Sequence, residues 1–455
     1  MNLKDFKHQT IHLIGLSGAE GSSLALFFIR QGVKNLIGHD FCRPGDFSKN
    51  YFKYHQFQSR EKSQQQIKQI KAAFKINFKK SYLQGLGRND LIFAPSSWFR
   101  YAENKKLAKH QFFNWYNLVG EIFRGKIIGV TGTAGKGTTT HLITLMLKAA
   151  GKKVYLAGDA WQMIDLGKIS SMPKNSWLVL ELSNRTLTFA SKTRFSPQLA
   201  VITNISKHHI DDHHNSFGEY IKTKKEIARY QTKVDYFLYN SADAEAGKLK
   251  RYGRAKHLAF SQTTAKKLWL NNRFLIGQHL RADAAAAIKV AKILKIRDVQ
   301  IKKALATFRP RSGRMEPVGA LNGIFFVNDG ASTRPSASAA AIGAFSKNKV
   351  HLLLEGSRKK PHRSYYLDLL KIIRDCRVKN VFISGSITGF LLPLLKKTGV
   401  PAFASNGLAE SVCRAYRSAK SGEIILLSPA NESFGQFSDY RERVALFNAT
   451  VKKLK

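Results

Sequence analysis

A glycine-rich stretch in the first third of the chain carries the residue types that hold a phosphate group. It reads Val130-Thr-Gly-Thr-Ala-Gly-Lys-Gly-Thr-Thr-Thr140, and it stands between the apolar run Lys126–Val130 and the helix-like run His141–Ala150. In a strand–loop–helix unit, the backbone N–H groups of the loop and the positive end of the helix dipole attract an anion. The stretch therefore predicts a phosphate loop in which Lys136 reaches the β- and γ-phosphates of a nucleotide.

The loop departs from the usual phosphate-loop pattern in two ways. Five residues, rather than four, separate Gly129 from Gly135. Gly137 stands where a hydroxyl that helps to hold Mg²⁺ is expected, and Thr138 follows one residue later. Thr138 is therefore the expected substitute. An ordinary strand-to-helix turn is the alternative for the same residues, but the flanking patterns favour a phosphate loop.

Two further strands end in residues that could bind a metal ion. The run Ser176–Glu181 ends in a carboxylate, and Gln198–Asn204 leads into a loop, Ile205–His214, that contains four histidines and two aspartates. The carboxyl ends of parallel strands meet at one edge of a sheet, where ligands bind. Mg²⁺ prefers oxygen ligands, so zinc is an alternative for this loop. The next run, Tyr220–Ile227, is rich in charges, and a solvent-exposed helix face is its default interpretation.

A second unit of nucleotide-binding type opens the chain. The apolar run Thr10–Ile14 leads into the turn Gly15–Gly21, and the helix-like run Ser22–Gln31 precedes a strand that ends at Asp40. An acidic residue about 20 positions beyond such glycines can meet a ribose hydroxyl. The glycine spacing is irregular, so a plain doubly wound domain is the alternative.

The elements that must position these residues alternate along the whole chain. Proline and glycine in Phe308–Glu316 indicate a linker. Beyond it, apolar runs such as Val350–Glu355 alternate with helix-like runs such as Ser364–Cys376, which is typical of a doubly wound sheet. We therefore predict an α/β chain of three domains, with ranges 1–118, 119–309 and 310–455.

Composition limits the class of protein. The 455 residues are 44% hydrophobic and 11% aromatic, which are globular values. No apolar run approaches the roughly 20 residues that a membrane span needs. There is no signal-peptide pattern, and three cysteines at unrelated spacings give neither a disulfide framework nor a zinc pattern. A cytoplasmic protein is therefore expected.

The net charge of +45 is the unusual feature of the composition. It could serve binding to nucleic acid or to an anionic membrane. The basic residues are spread along the chain without a dominant block or a nucleic-acid module, which favours basic residues scattered over solvated faces.

Taken in order, these motifs resemble those of the Mur ligase family, the ATP-dependent amide-forming enzymes of peptidoglycan synthesis. The likeness covers nearly the whole chain and is greatest to the members that add glutamate to UDP-N-acetylmuramoyl-L-alanine. The residues that carry it are Ile14–Leu16, Thr131–Lys136, Glu181–Ser183, Asn204, His209, Asp211, Tyr220, Lys224, Gly277–His279, Arg314–Glu316, Asn328–Asp329, Thr333, Ser428–Ser433 and Gln436–Phe437.

The resemblance implies a fold and a reaction. The fold is an N-terminal Rossmann-like domain that binds the UDP substrate, a central phosphate-loop ATPase domain and a C-terminal Rossmann-like domain that binds glutamate. In the reaction, a carboxylate of the muramoyl peptide attacks the γ-phosphate of ATP, which gives an acyl phosphate and ADP. The amine of glutamate then displaces phosphate. Such a phosphoryl transfer needs charge neutralisation and alignment more than covalent help.

The resemblance also implies a role for individual residues. Catalytic roles are implied for Lys136, Lys224 and His209. Two Mg²⁺ ions are implied, with ligands at Thr138, Glu181, His209 and Lys224, the last as a carbamylated lysine whose added oxygens suit Mg²⁺. Nucleotide contacts are implied at Gly132, Thr133, Ala134, Gly135, Lys136, Gly137, Thr138, Arg314 and Asp329. Substrate contacts are implied at Gly15, Asp40, Ser183, Thr333, Lys359, Ser433 and Tyr440.

The chain departs from the family pattern at Gly137, Asp159, Arg185, His208, Leu280 and Ala331. Leu280 and Ala331 bear on nucleotide contacts, whereas Asp159 and Arg185 bear on the identity of the acceptor. The lysines, the glutamate and the histidine of the implied site are all present, which favours a working but divergent ligase.

Two alternatives stay open. One is a related amide ligase with a different acceptor, folylpolyglutamate-synthase-like or otherwise, although the N-terminal nucleotide-type domain argues against that enzyme. The other is a basic ligase-like scaffold that binds nucleic acid, whose binding would weaken steeply with salt. The expected partners are the UDP-muramoyl peptide and glutamate, and a monomer is expected.

Overall fold

The computed structural model describes residues 6–56, 58–158, 164–206, 210–213, 216–264, 266, 272, 274–275, 277–358, 361–376 and 378–454. These residues form three β-sheets, one within each of the three predicted ranges. By its contacts the chain divides into two compact units, residues 1–268 with 282–305 and residues 269–281 with 306–455. The first unit holds the first two sheets and the second unit holds the third. The exact domain limits stay a prediction.

The first sheet has five strands, β1 (Ile11–Ile14), β2 (Leu36–Asp40), β3 (Lys75–Phe78), β4 (Leu91–Phe93) and β5 (Phe112–Phe113). They are parallel in the order β3-β2-β1-β4-β5. Its helices are α1 (Ala19–Arg30), α2 (Phe47–Tyr54), α3 (Arg60–Ala73) and α4 (Trp115–Ile122). Leu13 of β1 and Phe27 of α1 are buried in one apolar cluster. Each such side chain stabilises the fold by about 1.5–3 kcal/mol relative to exposure.

A chain of hydrogen bonds crosses the core of this sheet. Nδ1 of His12 lies 2.9 Å from Nε2 of His39, and Nε2 of His12 lies 3.0 Å from Oδ2 of Asp90. The N–H of Leu83 donates to Nδ1 of His39 at 3.1 Å, so that nitrogen must accept. His39 then donates to His12, and His12 donates to Asp90. Burial lowers the pKa of His39 to about 3, so its ring stays neutral.

The second sheet has six strands, β6 (Lys126–Thr131), β7 (Val154–Ala157), β8 (Trp177–Glu181), β9 (Leu199–Ile202), β10 (Tyr236–Asn240) and β11 (Lys256–Phe260). They are parallel in the order β11-β10-β9-β6-β8-β7. The accompanying helices are α5 (Lys136–Ala149), α6 (Leu166–Ser171), α7 (Asn184–Leu187), α8 (Phe217–Lys225), α9 (Ala244–Gly247), α10 (Gly277–Ile293) and α11 (Asp298–Thr307). The central strands β6, β8 and β9 are buried over nearly their whole length, as their apolar sequences require.

The third sheet has six strands, β12 (Glu316–Leu321), β13 (Ile324–Asn328), β14 (Val350–Glu355), β15 (Val378–Ser384), β16 (Ala402–Ala404) and β17 (Ile424–Ala430). Their order is β12-β13-β17-β14-β15-β16, and only β12 is antiparallel to its neighbour. Its helices are α12 (Pro335–Ala344), α13 (Leu367–Asp375), α14 (Thr388–Lys396), α15 (Leu408–Ser418) and α16 (Tyr440–Lys453). Leu353, Leu427 and Phe447 lie in one buried cluster that joins β14, β17 and α16.

The predicted α/β class and most predicted elements are confirmed, with bounds that shift by a few residues. The helix predicted from His141 begins at Lys136, because the phosphate loop leads directly into it. The strands missing from the prediction are β3, β5, β7, β10, β11, β12 and β16. Of these, β3, β7, β11 and β12 are largely only half-buried, so their sequences lack a continuous apolar run. No helix within the described ranges is both long and apolar enough to cross a membrane.

One sequence interpretation is right for only one side of its helix, on which the side chain of Lys222 is 70% exposed. The run Tyr220–Ile227 was expected by default to present a solvent-exposed face, because it is rich in charges. Tyr220 and Lys224 are instead each 1% exposed. The two side chains face the phosphate loop of the second sheet, and the polar atoms there take the place of solvent.

Candidate functional site

The glycine-rich loop joins β6 to α5, and two of its glycines are required by geometry. Gly132 has φ +152°, and a Cβ there would lie 1.9 Å from Oγ1 of Thr203. Gly135 has φ +81°, and a Cβ there would lie 2.0 Å from Oδ1 of Asp283. Positive φ and close approach both exclude larger residues. The predicted nucleotide positions Gly132–Thr138 thus form one tight loop that ends on the first turn of a helix.

The end of β9 fixes the shape of this loop. Asn204 accepts the N–H of Thr133 through its carbonyl oxygen and the N–H of Ala134 through its side chain, both at 2.9 Å. Its side-chain amide donates to the carbonyl of Ala134 at 3.0 Å, and Oγ1 of Thr203 donates to that carbonyl at 2.6 Å. The sequence grouped Asn204 with the histidine-rich loop, whereas the structure gives it the task of holding the phosphate loop.

Lys136 begins α5 and turns back into the loop. Its Nζ donates to the carbonyl oxygens of Gly132 at 3.0 Å and of Thr133 at 3.4 Å. The ammonium group and the positive end of the α5 dipole therefore act at the same place. A triphosphate needs this combination of charge and backbone donors.

Glu181 ends β8 and approaches the loop at its unusual glycine. A Cβ at Gly137 would lie 3.1 Å from Oε2 of Glu181, so the carboxylate occupies the space beside the residue that lacks a side chain. Thr138 is partly buried on the first turn of α5. Mg²⁺ is usually held by one or two protein oxygens together with substrate phosphates. A carboxylate and a hydroxyl beside a phosphate loop fit that requirement.

The predicted histidine ligand, His209, lies outside the described residues. Within the part of the chain that the structure describes, no three histidine, cysteine or acidic side chains come together as a metal site. A tetrahedral zinc site is therefore not assembled by these residues alone, and the described carboxylates that approach the loop are Glu181 at Gly137 and Asp283 at Gly135.

Lys224 reaches the base of the phosphate loop from α8. Its Nζ donates to Oγ1 of Thr131 at 3.2 Å and lies 5.0 Å from the centre of the Tyr220 ring. Thr131 in turn donates to the carbonyl of Leu182, the residue after Glu181. The hydroxyl of Tyr220 lies 3.0 Å from Oγ1 of Thr133 in the loop. Three distant segments thus meet at the carboxyl ends of β6 and β8.

At the first sheet, the predicted substrate residues Gly15 and Asp40 lie at the carboxyl ends of the neighbouring strands β1 and β2. Gly15 has φ +70° and its N–H donates to the carbonyl of His39 at 2.8 Å. The carboxylate of Asp40 accepts the N–H groups of Ser17 at 2.7 Å and Cys42 at 3.2 Å. Asp40 therefore holds the turn after β1 through Oδ2 and the segment after β2, its own strand, through Oδ1.

The predicted substrate residue Ser183 lies next to an ion-pair cluster. Ser183 caps α7, since its Oγ accepts the N–H of Thr186 at 3.0 Å. Arg185 donates to Oδ2 of Asp212 at 2.7 Å, and Arg100 donates to Oδ1 of Asp212 at 3.4 Å. Asp212 follows β9 and Arg100 follows β4, so this cluster joins the carboxyl-end loops of the first two sheets.

In the third sheet, Asp329 follows β13 and is buried. It accepts from Oγ of Ser428 at 2.8 Å and from the N–H of Met315 at 3.2 Å. Burial raises the pKa of Asp329 to about 6, although hydrogen bonds from Ser332, Ser428 and Met315 oppose that shift. The neighbouring predicted nucleotide residue, Arg314, is exposed.

The predicted glutamate-binding residues follow the carboxyl ends of neighbouring strands. Thr333 lies between β13 and α12, and buried Ser433 lies after β17. Tyr440 is the first residue of α16. Lys359 lies outside the described residues. The described three leave from the same edge of the third sheet.

Sequence reasoning missed the residues that hold these side chains in place. Thr203 lies close to Gly132 and Asp283 lies close to Gly135. Arg443 donates hydrogen bonds to the segments that carry Thr333 and Ser433. Polar residues at strand ends were the available signal for Thr203. Asp283 and Arg443 lie in helices and gave no such signal.

Comparison with known proteins agrees with the geometry. Residues 130–297 match the family model of the Mur ligase middle domain. The UDP-N-acetylmuramoylalanine–D-glutamate ligase of Pediococcus pentosaceus is 32% identical over 353 residues, which cover 73% of this chain and 75% of that protein. The ligase of the same name from Caldanaerobacter subterraneus is 28% identical over an alignment of 475 positions, gaps included, which covers 99% of this chain and 100% of that protein.

Solved structures share the fold at lower identity. The UDP-N-acetylmuramate–alanine ligase of Thermotoga maritima superposes with a TM-score of 0.59 at 19% identity and covers 98% of this chain and 100% of its own. The MurF ligase of Thermotoga maritima, solved with ADP, gives a TM-score of 0.58 at 15% identity and covers 86% of this chain and 93% of its own.

Proposed function

The chain belongs to the Mur ligase family, and we propose that it is an ATP-dependent ligase that joins glutamate to UDP-N-acetylmuramoyl-L-alanine. The single structural observation that carries this proposal is the meeting of three segments at one edge of the second sheet. Glu181 lies beside Gly137 of the phosphate loop. Lys224 donates to Thr131 at the base of the loop, and Thr131 donates to the carbonyl of Leu182, next to Glu181.

The phosphate loop would bind and align the triphosphate. The positive φ of Gly132 and Gly135 shapes the loop, and Asn204 fixes it by accepting the N–H groups of Thr133 and Ala134. The N–H groups at the start of α5 are therefore the ones that would face the phosphates. Lys136 and the α5 dipole would neutralise the charge that develops as the acceptor carboxylate attacks the γ-phosphorus. Alignment of the two reactants would add to that stabilisation.

Magnesium would supply further charge neutralisation at the phosphates. Glu181 and Thr138 are the described residues that would hold it, and His209 completes the proposed set. We propose a carbamate on Lys224 as a further oxygen ligand, which agrees with the buried position of this lysine at the base of the loop. In this role Thr131 would orient the Lys224 side chain.

The amide bond would form at the third sheet. Thr333, Ser433, Tyr440 and Lys359 would hold the carboxylates of glutamate. The amine nitrogen attacks the acyl carbon, the carbon–oxygen bond to phosphate breaks, and inorganic phosphate leaves with the proton balance completed by solvent or a basic group. Exclusion of water during this step would protect the acyl phosphate from hydrolysis.

A phosphate-release assay with four components tests this function. Release should require ATP, Mg²⁺, UDP-N-acetylmuramoyl-L-alanine and glutamate together, and it is measured with D-glutamate and L-glutamate in parallel. Omission of any one component is the control. Absence of product with both enantiomers would refute the proposal as stated.

Removal of the Lys224 side chain tests the proposed carbamate. Lys224→Ala should abolish ligation while the melting temperature stays close to that of the unchanged protein, and bicarbonate with a short carboxylic acid should restore part of the activity. Lys222→Ala, on the exposed side of the same helix, is the matched control. Full activity of Lys224→Ala would mean that the lysine carries no metal ligand.

A related ligase with a different acceptor is the second candidate. The observation that favours it is the cluster of Arg185, Asp212 and Arg100 beside Ser183, because a charged residue replaces the usual aromatic at position 185. An arginine at that position would suit an acceptor with an additional anionic group. Screening acceptors by ATP turnover, with Arg185→Phe beside the unchanged protein, separates the two candidates.

A further inference from the structure

Arg443 of α16 is an arginine with no exposed surface. Its Nη2 and Nε donate to the carbonyl oxygen of Gly330 at 2.8 and 3.1 Å. Its Nη1 donates to the carbonyl oxygen of Asn431 at 3.2 Å and to Oε2 of Glu355 at 2.7 Å. A planar guanidinium carries donors in several fixed directions, so one side chain can hold several segments at set angles.

The three acceptors lie at the carboxyl ends of three neighbouring strands. Glu355 is the last residue of β14, Asn431 directly follows β17, and Gly330 follows β13. These strands lie side by side in the order β13-β17-β14. Two of the three acceptors are loop carbonyls rather than core groups, so the arginine ties loops to one another at the ligand-binding edge of the sheet.

Each tied segment carries one of the residues assigned to glutamate. Thr333 lies in the same loop as Gly330, Ser433 lies just after Asn431, and Tyr440 is one helical turn before Arg443. Lys359, which lies outside the described residues, follows Glu355 in sequence. A small movement of Arg443 would therefore shift several of these residues together.

We propose that Arg443 is the positioning residue of the amino-acid site, with Glu355 as the counter-ion that allows it to be buried. This inference rests on the proposed function, since it assumes that the third sheet binds the incoming amino acid. Arg443 does not touch the substrate. It sets the spacing of the loops that do, and Glu355 supplies the negative charge without which a buried guanidinium would be too costly.

The chemistry of amide formation makes this spacing important. The amine must lie close to the acyl carbon in the right direction, and an error of about 1 Å can lower the rate about 100-fold. If Arg443 only stabilised the sheet, its substitution would lower the melting temperature without a selective change in KM for glutamate. The two roles therefore differ in a measurable way.

The test compares Arg443→Lys, which keeps the charge but loses the fork, and Glu355→Gln, which keeps the shape but loses the charge. Glu423→Gln is the matched control, because Glu423 is a buried carboxylate that pairs with His351 at the opposite ends of the same strands. We measure KM for glutamate, KM for ATP, kcat and the melting temperature. Hydrogen–deuterium exchange of residues 329–334 and 431–437 is measured without substrate.

We expect Arg443→Lys to raise KM for glutamate about 10- to 100-fold, with a change in KM for ATP of less than about threefold. Exchange should become faster in both loops together. Glu355→Gln should act in the same direction to a smaller extent, and Glu423→Gln should change neither KM nor exchange in these loops.

Two results would overturn the proposal: a lower melting temperature of Arg443→Lys with an unchanged KM for glutamate, or faster exchange in one loop only. If Arg443→Lys does not fold, Glu355→Gln decides by the same measurements. If the unchanged protein shows no glutamate-dependent turnover, the proposed function fails, but the exchange measurement still decides whether Arg443 holds the two loops.

Discussion

Two buried glutamates at opposite ends of the third sheet have opposite electrostatic properties. Glu423, just before β17, accepts from His351 at 2.8 Å and from the N–H of Lys420 at 3.0 Å, and Nζ of Lys379 lies 3.9 Å away. Burial opposes ionisation of Glu423, but these partners together hold its pKa below the usual value. Its charge is therefore stabilised by its surroundings.

Glu355, at the end of β14, has fewer partners. One oxygen accepts from Arg443, and the other has no hydrogen-bond partner within the described ranges. Burial raises the pKa of Glu355, and the attraction of Arg443 only partly offsets that shift. The surroundings therefore stabilise the ionised form of the glutamate at the amino ends of the strands and destabilise the ionised form of the glutamate at the carboxyl ends. A strained charge at the ligand edge is typical of a site that serves function before stability.

The largest effect on this comparison is expected from Arg443→Met. The change leaves Glu355 buried without its partner and removes the donor for two loop carbonyls, so unfolding should become easier by about 3–5 kcal/mol. Thermal and denaturant unfolding measure the loss. The double variant Glu355→Leu with Arg443→Met is the control and should regain much of the stability without regaining a low KM for glutamate. A loss below about 1 kcal/mol for the single variant would contradict the assignment of a buried ion pair.

Glu423→Gln should lower the free energy of unfolding by a smaller amount, about 1–3 kcal/mol, because hydrogen bonds to a charged group are lost while the shape of the side chain is kept. The folded-state pKa of Glu423 is depressed, so its stabilising contribution is present above the unfolded-state value of 4.5 and is lost as pH falls. Melting temperatures from pH 3 to pH 7 should therefore show a gap between the unchanged protein and Glu423→Gln that narrows toward acid. A constant gap would contradict the pKa direction.

Glu355→Gln should change the pH dependence with the opposite sign. The folded-state pKa of Glu355 is raised, so the folded protein binds this proton more tightly than the unfolded chain does. The contribution of Glu355 to stability therefore decreases as pH rises above about 4.5. Relative to Glu355→Gln, the unchanged protein should lose stability between about pH 4.5 and pH 7. If the melting temperatures of the two glutamine variants changed with pH in the same way, the proposed electrostatic difference between the two ends of the sheet would be wrong.

The smallest effect is expected from Lys379→Ala. The side chain of Lys379 is 42% exposed and its Nζ lies 3.9 Å from Oε1 of Glu423, so solvent screens the pair. The expected loss is below about 0.5 kcal/mol and should disappear in high salt. A larger loss would mean that Lys379, rather than His351, accounts for the low pKa of Glu423.

The phosphate loop could be predicted from the sequence because its whole signal lies in one contiguous run. Glu181 could be predicted for a related reason, since it ends one contiguous apolar strand. Lys224 could be assigned only through resemblance, because its charged neighbours give its helix the pattern of a solvated face. Its burial depends on Thr131 and Tyr220, whose positions only the folded sheet defines.

Arg443 shows the limit of sequence reasoning more clearly. It stands in the polar run Tyr440–Arg443, which is typical of an exposed first turn of a helix. The partner that makes its burial possible, Glu355, is 88 residues away. The sheet register brings the two together, and no local pattern of charge or periodicity encodes that register. Local motifs were therefore found, and the long-range bonds that hold them were not.

The close approach of Glu181 to Gly137 has a consequence for how this enzyme could be altered by design. A serine introduced at position 137 would put its Cβ 3.1 Å from Oε2 of Glu181, so the carboxylate would have to shift by a few tenths of an ångström. Gly137 and Glu181 are therefore coupled in space, although 43 residues of chain, 138–180, separate them. A chimera that exchanges the loop should take the end of β8 with it.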